Sequence, residues 1–149
     1  MNKIKTIAKG TIMALLALII MTGFKQGGHP AYLHALSDLR TARWMLNHRP
    51  GNWAVSNDEN QAIQEIDKAI NEIKKASIDD GKDPNWHATV DEHPEHIARL
   101  HDAADLLYKA LGDVNKEEDN NFANGLKKRA LDHINGALDA TKRAIKAAK

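Results

Sequence analysis

From residue 30 onward apolar residues recur every three or four positions, and nowhere do they alternate with polar ones over the length of a strand. That pattern leaves amphipathic helices as the regular structure open to the chain. The first stretch, Pro30 to Asn47, carries Tyr32, Leu36, Leu39, Ala42 and Leu46 on one stripe. "HRPGNWAVSN" (48–57) interrupts it, and Asn57 or Asp58 is placed to cap a second helix. That second stretch is the clearest, with Ile63, Ile66, Ile70 and Ile73 on one side and Glu, Gln and Lys on the other. The polar connection "IDDGKDPNWHATVDEHP" (78–94) leads to a third helix bearing Ile97, Leu100, Ala104, Leu107 and Leu111 and ending near Gly112. A fourth, starting near Asp119, carries Leu126, Ala130, Ile134, Ala137, Leu138, Thr141, Ala144 and Ile145. Glu117, Glu118 and Asp119 ahead of it, and the lysines at its end, suit its dipole.

The four stretches fall into two similar units. The first and third align from His29/His93 to Trp44/Tyr108 and share His-Pro, Leu36/Leu100 and Asp38/Asp102. The second and fourth align as "AIQEIDKAINEIKKA" (62–76) on "ALDHINGALDATKRA" (130–144), with Ile66 on Ile134. An αα-hairpin of this size cannot bury its own stripe, so two tandem hairpins should complete one core. The fold class expected is all-α, an up-down-up-down four-helix bundle made of two tandem αα-hairpins. The His-Pro pairs then serve to open helices, since proline suits the first helical turn and pushes the residue before it out of helical geometry.

The first 24 residues read differently. "MNKIKTIAKG" is basic, and "TIMALLALIIMTG" (11–23) is an apolar run too short for a comfortable membrane span. Residues 1–24 are therefore expected to be a secretory signal peptide, with an uncleaved N-terminal anchor as the alternative and a buried core helix the poorest fit. Residues 25–149 form the bundle domain, placed in the periplasm or secreted, or tethered to the membrane through that segment alone. Without Lys3, Lys5 and Lys9, basic groups no longer outnumber acidic ones, from a starting balance of 21 against 20. A chain so balanced lacks the clustered basic face of a nucleic-acid binder. It also has no cysteine, which excludes disulfides, thiolate zinc sites, c-type haem attachment and a lipoprotein anchor.

Three segments together, "HPAYLHALSDLR" (29–40), "IDDGKD" (78–83) and "EEDN" (117–120), resemble a family of small secreted bacterial proteins of unknown function, over roughly residues 29–145. The resemblance implies an exported helical domain and brings no activity, ligand or partner with it.

Eight histidines raise the question of metal or haem. A di-metal carboxylate bundle needs Glu-x-x-His on two helices, and neither that motif nor His-Glu-x-x-His occurs. His93-x-x-His96, His34/Asp38 and His101/Asp105 have chelating or helical spacings that also suit solvated surface residues. Haem is disfavoured, because Met45, the sole methionine after the targeting segment, would lie far from His133 in an up-down bundle. "DDGKD" (79–83) fails as a calcium loop for want of acids at Ala76 and Ile78. Arg43 falls within the apolar stripe of the first helix; either its stem packs while its head reaches water, or it makes a partly buried ion pair. No nucleophile motif or phosphate loop is present.

Up-down-up-down packing would put Asp38, Asp67, His101 and His133 in one belt at mid-height, with His34 just beyond. One bundle handedness brings Asp38 to His133 across the first and fourth helices; the other brings Asp67 to His101 across the second and third. Either contact would hold the imidazole in place or supply part of a zinc or copper site. The function expected is thus a non-catalytic extracytoplasmic binding or structural module, with a protein or small ligand as partner. The alternative is a zinc- or copper-binding bundle using His34, Asp38, Asp67, His101 and His133.

Overall fold

Four helices form the described chain: α1 (Pro30–Asn47), α2 (Asn57–Lys75), α3 (His96–Lys116) and α4 (Leu126–Ala147). The computed structural model describes residues 30–48, 54–75, 82, 85–89, 95–117 and 125–149. Residues 1–24, expected to be a signal peptide or anchor, together with His93, Trp53 and most of the "DDGKD" loop, lie outside the described residues. Among the described residues there is no strand, and no helix is long and apolar enough to cross a membrane. The protein is an all-α four-helix bundle.

The stripes become its core. Leu36, Leu39 and Leu46 of α1, Ile66 and Ile73 of α2, Leu100 and Leu107 of α3 and Ile134 of α4 are all buried. Between them lie buried alanines (Ala35, Ala42, Ala62, Ala69, Ala103, Ala110, Ala137 and Ala140), whose small side chains let the helix backbones approach closely. Ile63, Ile97 and Leu111 are only partly buried, at the edges of their stripes. With little aromatic mass inside, the core depends on close aliphatic packing. Emptying one such site, as in Ile66→Ala, costs about 2–5 kcal/mol.

Helix ends depart from expectation in three places. α3 passes through Gly112 and continues to Lys116. A helical glycine costs about 1 kcal/mol, but the extra turn buries Val114, worth about 1.5–3 kcal/mol. α4 begins at Leu126 rather than near Asp119, behind Gly125, whose φ of 77° is one that residues with a Cβ rarely adopt. At α2 the cap is Ser56: its Oγ accepts the Glu59 N–H at 3.1 Å, and Glu59 Oε2 accepts the Ser56 N–H at 2.8 Å. That reciprocal pair is a capping box.

Chain direction is where the expected topology gives way. The Ala31 N–H donates to Glu117, and Arg99 donates to the His48 carbonyl, so α1 and α3 are antiparallel neighbours. Asp58–Arg143 at one end and Glu72–Arg129 at the other make α2 and α4 antiparallel neighbours too. Glu59 meets His96 where α2 and α3 both begin, so those two run parallel. The order is therefore down-up-up-down, correcting up-down-up-down; α1 borders α2 and α3, and α4 borders the same two. Length explains it. α2 is about 28 Å long at 1.5 Å per residue, and the connection 76–95 is long enough to return the chain to the end where α2 started. Each helix thus packs against its counterpart in the other hairpin. The flanking ion pairs place Ile66 and Ile134, equivalent positions in the two units, at one level of the α2/α4 seam, and both are fully buried.

Candidate functional site

The expected belt does not assemble. α1 and α4, and likewise α2 and α3, are diagonal in the bundle, so neither Asp38–His133 nor Asp67–His101 forms. His34 and His101 are exposed. Asp67 bonds Arg43, whose Nε is 2.6 Å from Asp67 Oδ1; this settles Arg43 as a partly buried ion pair. His133 donates from Nδ1 to Glu65 Oε2 at 2.6 Å. Asp38 is half-buried near Lys109 and Asp113 of α3. Burial raises its carboxyl above the ordinary value, Lys109 opposes that, and the Asp113 charge adds to it. No three His, Asp or Glu side chains among the described residues converge to hold a metal ion.

The richest polar cluster lies instead at the end of the bundle where α1 stops and α2 and α3 start. Trp44, in the last turn of α1, stacks with two imidazoles: His48 at 4.4 Å and His87 at 4.2 Å between ring centroids. His87 comes from the crossover between α2 and α3, and its Nδ1–H donates to the Ala88 carbonyl at 2.9 Å. One residue before Trp44, Arg43 Nη1 donates to Asn85 Oδ1 at 3.2 Å. Arg43 and Trp44 together hold the crossover against α1. Behind them the buried Arg99 donates to the His48 carbonyl, meeting one of the carbonyls that a helix leaves open at its C-terminus.

Glu59 is the centre of this end. Its side chain is 4% exposed, receives the Ser56 N–H and accepts from His96 Nε2 at 2.7 Å. Burial alone would raise its carboxyl, but the hydrogen bonds from His96 and Ser56 outweigh burial and hold it below the ordinary range. Glu65 shows the same balance, burial being outweighed by Lys68 and His133. Glu72 is lowered chiefly by Lys75, then by Arg129. All three are α2 glutamates that stay ionised because cations or imidazoles of the bundle face them.

Sequence reasoning missed Glu59, Glu65, Glu72 and the capping role of Glu117. "SNDE" (56–59) does contain the Ser-x-x-Glu signature that marks Glu59. Lys68 and Lys75, three residues on, are local partners of Glu65 and Glu72, but their interhelical partners, His133 and Arg129, lie on a helix that becomes a neighbour only through the crossover. Set beside known proteins, the chain matches no family model, no curated protein and no solved structure.

Proposed function

We propose that this chain is a non-catalytic helical module, binding or structural, that works outside the cytoplasm. One observation carries the reading: the side chains best suited to chemistry are engaged in joints between elements. His133 is bonded to Glu65, His96 to Glu59, Arg43 to Asp67 and Asn85, and His87 to Trp44 by stacking. A catalytic site needs an acid, base or nucleophile aimed at a space a substrate can enter, and these groups face one another. The basic and apolar N-terminal segment of the sequence supports export. A protein or a small ligand is the partner such a module takes; its balanced charge speaks against nucleic acid.

Native mass spectrometry of the protein purified from the cell envelope tests this. The expected result is a chain shortened by its N-terminal segment, with no zinc or copper held in a one-to-one ratio. A stoichiometric metal would overturn the reading in favour of a metal-binding bundle, and a full-length chain in the cytoplasm would overturn the export.

A further inference from the structure

We propose that the α2/α4 seam, which joins the two hairpins, carries a pH-sensitive clasp in its middle, His133 on Glu65, that tightens when His133 gains a proton. Asp58–Arg143, Glu65–His133 and Glu72–Arg129 pair the two helices along this seam. The outer two, Asp58–Arg143 at 2.8 Å and Glu72–Arg129 at 2.9 Å, use arginines, which keep their charge throughout the physiological range. The central link uses an imidazole, the side chain whose charge changes nearest neutral pH. With a neutral ring the Nδ1–H···Glu65 bond has only its acceptor charged; with a protonated ring both partners are charged and the same bond becomes an ion pair, the stronger kind.

The surroundings favour this response. Gly136, three residues beyond His133, leaves Glu65 lying against α4: a Cβ built there would be 3.4 Å from Glu65 Cγ. The His133 and Glu65 side chains are 28% and 19% exposed, so solvent only partly screens their attraction. From α2 the charged groups at the clasp are Glu65 and Lys68, whose Nζ is 2.7 Å from the other carboxylate oxygen. On α4 the neighbouring acid, Asp132, is bonded to Lys128 at 2.6 Å and is well exposed. The hydrogen bonds and charges of Lys68 and His133 outweigh burial and lower Glu65, so its carboxylate keeps its charge below the ordinary range. The clasp therefore works in a window: weaker when His133 is neutral, strongest when His133 is protonated and Glu65 is not, and lost when Glu65 takes up a proton.

A double-mutant cycle in the full chain tests it, with wild type, His133→Gln, Glu65→Gln and both together unfolded in urea at about pH 6 and about pH 8, on either side of the ordinary histidine range. The coupling, read as a ratio of unfolding constants, is expected to be at least about threefold larger at the lower pH. His96–Glu59 is present in all four proteins and cancels. Equal coupling at the two pH values, or larger coupling at the higher one, overturns the proposal. Should Glu65→Gln not fold, Glu65→Ala takes its place in the cycle, and the coupling at the two pH values is compared in the same way.

Discussion

The Glu117 carboxylate accepts the Ala31 N–H at 3.0 Å, so the first turn of α1 is closed by a residue 86 positions further along the chain. Pro30 has no N–H to satisfy, which makes Ala31 the first donor of that helix needing a partner. Glu117, in extended conformation just past α3 and nearly buried, supplies both the acceptor and a negative charge beside the positive end of the α1 dipole. The acid that seemed placed for the fourth helix in sequence thus serves the first. On the same corner, Lys127 donates to the Asn115 and Glu117 carbonyls and closes the end of α3.

Glu117→Ala should therefore cost about 1 kcal/mol, with about 0.5–2 as the range for a lost N-cap. Glu117→Gln, which keeps an acceptor, should cost less. Urea unfolding gives the total, and amide hydrogen exchange locates it: the first turn of α1 should exchange faster in Glu117→Ala. Unchanged exchange there would show that the carboxylate caps nothing.

Acid should unfold the bundle through α2. Glu59, Glu65 and Glu72 are all held below the ordinary carboxyl range, so each stabilises the fold above its unfolded value of about 4.3. That stability is lost as pH falls through the lowered folded values. The urea midpoint should drop steeply below about pH 4.5, and Glu59→Gln should flatten the drop. An acid limb as steep in Glu59→Gln as in wild type would remove Glu59 from the account.

Asp38 should behave in the opposite sense. Its carboxyl is raised, first by burial, so the ionised form is the less favourable one in the folded bundle. Stability from this residue is gained, not lost, as pH falls through its folded value. Asp38→Asn should raise the thermal midpoint at neutral pH and leave it unchanged in acid. A lower midpoint at neutral pH would mean that the Lys109 attraction outweighs burial.

Gly136→Ala should stabilise the protein by about 0.5–1 kcal/mol, the helical advantage of alanine over glycine. The added methyl would meet Glu65 Cγ at 3.4 Å, an ordinary contact. A loss of stability would show that Glu65 and His133 cannot accommodate even that.

The helices and their buried faces could be read from the chain because both depend on local periodicity: Leu36, Ile66, Leu100 and Ile134 are core for the reason their spacing suggests. What could not be read was which faces meet. With short turns, α3 would run antiparallel to α2 and His101 would lie beside it; the connection 76–95 is long enough to carry the chain back along the bundle, and α3 starts beside Glu59 instead. The pairings of α2 with α4 and of α1 with α3 depend on that one connection, so an imidazole–carboxylate contact was a sound expectation while its partners, Asp38–His133 or Asp67–His101, were not. Trp44 escaped notice for the same reason, since one of its two stacking partners belongs to the crossover.

Helix order is the central claim, and the absence of cysteine makes it directly measurable. Two paired-cysteine variants of the full chain, Asp58→Cys/Arg143→Cys across α2 and α4 and Asp38→Cys/His133→Cys across α1 and α4, should be treated with a short bismaleimide. The first should cross-link within one molecule, rapidly and independently of concentration, and the second should not. Cross-linking of the second pair with failure of the first would restore the up-down-up-down order and contradict the structure described above.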